Sequence, residues 1–289
     1  MSTLRYDVHV SAMTALSPSA LSLPGGAQAH WSPLAHTLIH GPTEAVLVDP
    51  PITLAQSAQL GDWIEDRIGA SGKRLSTIYL THGHADHWLG TAPLLERFPG
   101  VTVRATRATV DMIRATAPDG VATGIWPAAF PGQLADARFE VEPVADDGFR
   151  IDGHALLPVE VGHSDIDAST VLHVPSIGLV VAGDVVYNNV HQYLGESADG
   201  GLEAWRKALE VVQSLDPADV VAGHQDPSRG NRPSDIAATR EYLDTAEELL
   251  AAQPGREEFL TQLVRLYPER INPFTVWMSA LRLLPGTGA

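Results

Sequence analysis

The chain of 289 residues carries 35 Asp and Glu against 19 Lys and Arg, a formal net charge of −16, and no cysteine. The acidic balance speaks against nucleic acid as a partner, because phosphate binding draws on a basic surface, and the lack of cysteine excludes disulfides and thiolate ligands. With 44% apolar residues the chain can bury a large core. No apolar run nears the roughly 20 residues of a membrane helix, and Arg5, Asp7 and His9 stand where a secretory leader would be apolar, so no membrane partner and a cytoplasmic location are expected.

In chain order, Leu4 to Val10 reads as a strand, followed by a Ser-, Pro- and Gly-rich segment from Ser17 to Pro33 that is expected to lie over the surface and over an active site. His36 to His40 and Ala45 to Val48, split by Gly41-Pro42-Thr43, read as a hairpin ending at Asp49-Pro50-Pro51. Leu60, Ile64 and Ile68 give helical spacing to Leu54–Ile68. A strand over Leu75 to Leu80 follows, and a helix is suggested by Trp88, Leu89, Leu94, Leu95 and Phe98. Val101 to Arg104 is a short strand and Ala108 to Ala115 a helix, after which Pro118 to Gly132 reads as a loop holding Ile125, Trp126 and Phe130.

Arg138 to Val144, Phe149 to Ile151, Ala155 to Val161, Thr170 to Val174 and Leu179 to Ala182 then read as successive strands. Leu202 to Leu215 is a helix, Val220 to Ala222 a strand, and Ser234 to Ala252, Glu257 to Leu266 and Phe274 to Leu284 form a helical C-terminal extension. The pattern suggests two packed sheets with helices outside, as one domain over 1–289 with a catalytic core over about 1–232.

The chemistry concentrates at Thr81-His82-Gly83-His84-Ala85-Asp86-His87, directly after the apolar run Ile78-Tyr79-Leu80. Imidazole nitrogen and carboxylate oxygen suit Zn²⁺ and neighbouring first-row metals, and a structural reason for four of them in six positions is hard to find. On extended backbone His82 and His84 point the same way, while Asp86 and His87 lie where the chain turns, so one turn can serve two neighbouring ions. His163, Asp184 and His224 each follow a glycine at the end of a short aliphatic run and are the candidates to complete the site. Of the remaining histidines, His191, seven residues beyond Asp184, is the one expected to face the same cleft and touch substrate.

His-x-His-x-Asp-His at 82–87, a later Gly-His, a Gly-Asp and a final Gly-His, in that order, resemble the metallo-β-lactamase-fold hydrolase superfamily. The resemblance implies an α/β fold, an αββα sandwich of two mixed β-sheets flanked by helices, with the site between sheet edges. It also implies two divalent metal ions, zinc being favoured: His82, His84 and His163 would bind one, Asp86, His87 and His224 the other, and Asp184 would bridge them.

Two such cations can generate a nucleophilic hydroxide at neutral pH, so no protein nucleophile is needed. Asp86 and Asp184 then belong to the catalytic set. Tyr187, three residues past Asp184, is a candidate donor to the tetrahedral oxygen, because lactonases of the family place a tyrosine similarly; simple packing beside the site is the equal alternative. A bridging carboxylate accompanies lactonases, glyoxalase II-type thioesterases and phosphodiesterases in these families, whereas zinc β-lactamases usually have another residue there. His84 departs from the flavodiiron pattern, and Arg265, Arg270 and Arg282 form no recognisable glutathione-binding cluster.

Aromatic residues in expected cleft loops, Trp31, Trp88, Trp126, Phe130 and Tyr193, favour a small, partly apolar carbonyl substrate. The expected function is a dinuclear hydrolase of a lactone or related ester. β-Lactam or thioester hydrolysis, then phosphodiester hydrolysis, are the alternatives, and a diiron redox or sensor protein, or a non-catalytic metal binder, is the reading from another class.

Overall fold

The computed structural model describes residues 3–18, 20–116, 124–136, 138–145 and 147–286. Part of the loop expected over 118–132 lies outside the described residues. Strands β1 (Arg5–Ser11), β2 (Thr14–Ala15), β3 (His30–Trp31), β4 (Leu34–His40) and β5 (Glu44–Val48) precede helix α1 (Leu54–Ile68) and β6 (Arg74–Tyr79). Next come α2 (Thr91–Arg97), β7 (Thr102–Ala105), α3 (Arg107–Thr116), the single turn α4 (Trp126–Ala129), and β8 (Glu142–Pro143). The strands β9 (Phe149–Ile151), β10 (His154–Gly162), β11 (Ser169–Val174) and β12 (Leu179–Asn188) run to α5 (Gly201–Ser214), β13 (Asp219–Gln225), α6 (Ser234–Ala251), α7 (Arg256–Leu266) and α8 (Phe274–Leu283).

The strands form one large mixed sheet in the order β8-β7-β6-β5-β4-β13-β12-β11-β10-β9, with β1 also paired to β4. Its two halves meet through a single residue pair, His224 on β13 with Leu34 on β4. So narrow a seam lets the sheet fold over, and the alternation of side chains shows that it does. On β5, Ala45 and Leu47 pack with α1 and α2 residues, while Val46 and Val48 face the other way. They meet Leu179 and Val181 of β12 and Val221 of β13, whose neighbours Val180, Ala182, Val220 and Ala222 pack beneath α5 to α8. Three apolar layers therefore separate helices, half-sheet, half-sheet and helices, the expected αββα arrangement.

Helix α1 shows how local sequence fixes an element. Thr53 caps it by accepting from the Gln56 backbone N–H while Gln56 accepts in return from the Thr53 N–H. Leu60, Ile64 and Ile68 then form its buried stripe.

Two expected elements differ. Trp88 and Leu89 lie outside α2, because the motif makes a 3₁₀ turn at Ala85–His87 before the helix starts at Thr91. Of the strand expected over Arg138 to Val144, only Glu142–Pro143 pairs, at the sheet edge beside β7. No helix among the described residues is long and apolar enough to cross a membrane.

Candidate metal centre

The 82–87 turn leaves the end of β6 and lies across the rim where the two half-sheets diverge, and the ends of β12 and β13 complete that rim. Asp184 sits within β12, where the pairing with β13 shifts register between Val181 and Gly183 and again before Tyr187. The close approach of the two strands depends on Gly223: a β-carbon there would collide with Asp184 Oδ1.

Two groups of potential ligand atoms result. In one, atoms of His82, His84, Asp165 and Asp184 lie within 4.8 Å of one another, and in the second those of Asp86, His87 and His224 do so. Asp184 stands between them: its Oδ1 is 3.2 Å from His87 Nε2 and its Oδ2 3.1 Å from His224 Nε2. His224 Nε2 is also 3.4 Å from Asp86 Oδ2. All of these side chains are buried except that of His84, which is 19% exposed.

The nitrogens that point away from this space are tied down, which fixes the tautomers. His224 Nδ1–H donates to the Pro33 carbonyl at 3.0 Å, and His87 Nδ1–H donates to Asp49 Oδ2 at 3.0 Å. Thr81 Oγ1 gives its proton to Asp49 Oδ2 at 2.6 Å, so it accepts from His82 Nδ1–H at 2.9 Å. The Nε2 lone pairs of all three rings are thereby left facing inward. On His84 the roles reverse: Nδ1 lies 2.8 Å from Asp165 Oδ2, and Nε2 faces Glu196 Oε1 at 3.5 Å. Asp86 is held from the opposite side by the Trp31 indole N–H at 2.9 Å.

Four buried atoms aimed into this space, His82 Nε2, His87 Nε2, Asp165 Oδ2 and Asp184 Oδ1, make no hydrogen bond. Buried polar atoms without partners are rare and costly. Cations in the two groups would satisfy all four, and nitrogen with carboxylate oxygen is the donor chemistry such cations need. Asp49, also within reach of His82 and His87, already accepts from Thr81 N–H, Thr81 Oγ1 and His87 Nδ1. It braces the cradle instead of contributing to it.

Charge tells the same story. Burial opposes a charge on His84, His87 and His224, but the adjacent carboxylates override it, and His224 is pushed up to about 10, chiefly by Asp184. Burial and the neighbouring His87 hold His82 well below the ordinary range. Asp184 is held well below the usual carboxylate range despite burial, because His224 and His87 flank it. The cradle attracts positive charge, as protons or as metal ions.

His163 lies elsewhere. Its ring is bound to Asp167 Oδ1 at 2.7 Å and to Ser197 Oγ at 3.3 Å, and Asp165, two residues on, occupies the position expected for it. The chain turns immediately after β10, with the Ser164 N–H donating to the Ile166 carbonyl at 3.0 Å, so side chains two residues apart leave on opposite sides. His191 also turns away from the cradle: after β12 the chain pairs Val190 with Ile271, and His191 Nδ1 meets the Tyr242 hydroxyl at 2.9 Å. Burial, reinforced by Arg270, lowers its pKa to about 3 and keeps it neutral.

Tyr187 does face the site; it is 1% exposed, and its hydroxyl donates to Asp184 Oδ2 at 2.9 Å. Burial and the charge of Asp184 keep its pKa well above the ordinary value, so it is a donor at neutral pH. Asp165, Glu196 and Asp49 were missed by sequence reasoning. Asp49 ends the apolar run Ala45 to Val48, part of the signal that marks Asp184 and His224 but without their preceding glycine.

Above the cradle opens a cavity of about 300 Å³. Leu21, Trp31, Ile125, Trp126, Tyr193 and Met278 are among its lining residues, together with Arg282. The Ser17 to Pro33 segment therefore reaches the site as expected. Trp88 and Phe130 do not: they are 1% and 2% exposed and belong to the layer beneath α1.

The family model of the metallo-beta-lactamase superfamily matches residues 36–224, which include every cradle residue. A metallo-beta-lactamase type 2 of Bacteroides fragilis is 26% identical over 191 residues, covering 63% of this chain and 65% of that protein, just under two thirds of its length. Among solved structures, a metallo-beta-lactamase from Pontibacter korlensis superposes with a TM-score of 0.58 at 19% identity, over 82% of this chain and 99% of that one. One from Pseudomonas aeruginosa, solved in a mono-zinc form, gives 0.57 at 18% identity, over 85% and 95%. These structural likenesses speak for the fold, and with the family match over most of its length the chain belongs to the metallo-beta-lactamase superfamily.

Proposed function

We propose that this chain is a dinuclear metal-dependent hydrolase that opens lactones or related esters that are uncharged and partly apolar. The observation that carries this reading is the cavity, whose floor is the His/Asp cradle and whose walls are largely indole and aliphatic surface. Such a wall takes up the apolar part of a substrate, while the few polar groups at the floor fix the carbonyl.

His82, His84 and Asp165 would hold one divalent cation and Asp86, His87 and His224 a second, with Asp184 available to both, and such ions would supply water ionised near neutral pH and an electrophile for the scissile carbonyl oxygen. The chain's own groups do the rest. Trp31 packs on Trp126, with ring centroids 4.6 Å apart, and its N–H orients Asp86, so the same indole is wall and support. Tyr187 lines the cavity and keeps its proton, which it gives to Asp184 Oδ2 in a hydrogen bond; turned from there toward the substrate, the same hydroxyl would donate to the charge that develops on the carbonyl oxygen. Water adds to the carbonyl carbon, the C–O bond of the ester breaks, and the alkoxide product takes a proton. The proton that water gives up goes to that alkoxide, and Asp184, kept ionised by His224 and His87, is a weak base that holds its charge between the two ligand groups.

Charge favours a neutral substrate. Among the described residues lining the cavity, Arg282 is the one Lys or Arg, and its guanidinium is 3.5 Å from Glu196. A β-lactam bearing a carboxylate would compete with Glu196 for that partner. β-Lactams remain the competing substrates because the relative from Bacteroides fragilis carries a metallo-beta-lactamase name.

The test is a hydrolysis panel with zinc-loaded protein: an uncharged lactone, a carboxylate-bearing β-lactam, a thioester and a phosphodiester. The lactone is expected to lead in kcat/KM by about tenfold or more, equivalent to about 1.4 kcal/mol of transition-state stabilisation. A β-lactam leading by that margin overturns the substrate assignment, and metal-loaded protein inert toward all four overturns the hydrolase.

A further inference from the structure

Each half of the cradle contains two imidazoles and one carboxylate of its own, His82, His84 and Asp165 in the first and His87, His224 and Asp86 in the second. An imidazole was expected at the place of Asp165. We infer that Asp165 is a metal ligand, that His163 is not, and that the first half-site consequently accepts manganese(II) more readily than a three-imidazole site would. This rests on the reading of the chain as a metal-dependent hydrolase and specifies which ions that site can use.

The backbone between β10 and β11 selects the residue. Pairing of these strands is irregular between Glu160 and Gly162, and Gly162 has φ +82°, a conformation in which a side chain is strained. The turn that follows is held at several points. Ser164 N–H donates to the Ile166 carbonyl at 3.0 Å, Ser169 Oγ donates to the same carbonyl at 2.9 Å, and Thr109 Oγ1 donates to the Ala168 carbonyl at 3.1 Å. In this fixed turn Asp165 points inward, 0% exposed, with Ser164 Oγ donating to its Oδ1 at 3.0 Å and its Oδ2 left without a hydrogen bond beside His84 Nδ1.

His163 leaves on the other side. Between Asp167 and Ser197, its Nε2 lies 2.9 Å from the point where a β-carbon on Gly201 would sit. Its ring thus ties the turn to the start of α5 and has no route to the cradle without breaking both contacts.

The substitution changes the donor chemistry. With Asp86, Asp165 and Asp184 ionised the cradle contributes three negative charges against four neutral imidazoles. Carboxylate oxygen suits manganese, imidazole suits zinc and iron, and a two-imidazole, one-carboxylate set is a pattern found for iron(II). An imidazole in place of Asp165 removes a negative charge and tilts the first half toward zinc.

The experiment is a titration of metal-free chain with manganese(II) and with zinc(II), reading bound metal per chain by equilibrium dialysis and elemental analysis, with circular dichroism to verify folding. Wild type and His163→Ala are expected to bind two ions of either metal. Asp165→Asn is expected to weaken one of the two by more than about 100-fold, the upper end of what loss of a mere supporting partner costs. Asp165→His is expected to keep two zinc ions and to lose one manganese ion. Two tightly bound ions in Asp165→Asn, loss of an ion in folded His163→Ala, or unchanged manganese binding in Asp165→His overturns the inference while leaving the hydrolase reading intact. Should Asp165→Asn fail to fold, the other two variants still decide. Wild-type chain that binds neither metal overturns both.

Discussion

The two halves of the cradle offer the same donors and differ in what holds them. In the second half His87 is 0% exposed and His224 5%, and their outer nitrogens are bound to the Asp49 carboxylate and the Pro33 carbonyl. In the first half His84 is partly exposed, and its outer nitrogen faces Glu196, which itself is 32% exposed and leans on Arg282, 60% exposed, in the last turn of α8. The second half is braced wholly from the core, whereas the first is braced from the core at His82, through Thr81 and Asp49, and from the surface at His84. With matched donors, differences in affinity then report bracing, since orienting a ligand in advance removes part of the cost of binding.

The strongest way to break this comparison is to remove the core brace. Asp49 takes three hydrogen bonds, and its φ of +53° is one that asparagine tolerates. Asp49→Asn therefore adds no backbone strain, yet its amide can offer an oxygen on one side only, which leaves Thr81 or His87 facing a donor. The ion in the second half is expected to bind about 10- to 100-fold more weakly, the range for loss of an outer partner, and the first half to weaken less, because Asp49 reaches His82 only through Thr81 Oγ1. A titration resolving two binding steps checks this, and equal weakening of both steps would show that the halves share one brace.

Intermediate in size is a pH effect on the metal-free chain. His224 has its pKa raised to about 10 in the folded state, and that of His87 is raised as well. Unfolded histidine titrates near 6.5. Their stabilising contribution is therefore full below about pH 6.5 and is lost as pH rises through the folded values. In the first half His84 is raised but His82 is lowered, so the two oppose each other. The Tm of EDTA-treated protein should fall between pH 6.5 and 10, and it should fall less in His224→Gln. A profile as steep in that variant would move the effect out of the second half.

How much of this was legible in the sequence follows from the same contrast. His82, His84 and His87 follow the end of β6, His224 stands near the end of β13 and Asp184 follows the apolar run inside β12, and the direction of a strand fixes where such residues lie. The outward turn of His163 depends on the register shift at Gly162 and on hydroxyls from Thr109, Ser164 and Ser169, which only the folded turn brings together. His191 failed for a similar reason: seven residues beyond Asp184 states a distance along the chain and not a direction, and the bridge from Val190 to Ile271 sets that direction. Trp88 and Phe130 have the same composition signal as Trp31 and Trp126, but the helical layer around α1 absorbs them. The αββα layering was readable because period-two alternation survives in β5, β12 and β13.

The smallest expected effect comes from the surface brace. Glu196 Oε1 is 3.5 Å from His84 Nε2, a long contact, and the pKa of Glu196 is lowered first by that interaction and by the charge on His84. Glu196→Gln keeps an acceptor and removes the charge, so the first half should bind its ion only about threefold more weakly, below the 10- to 100-fold loss of a well-made outer partner. Because exposed charge pairs are screened, the difference from wild type should shrink between 0.01 M and 1 M salt, where the Debye length falls from about 30 Å to about 3 Å. Arg282→Ala should act in the same direction and more weakly, since it touches His84 only through Glu196. A salt-independent loss would mean that Glu196 shapes the 190–200 loop by packing, and the C-terminal helix would then support the cavity wall without reaching the metal.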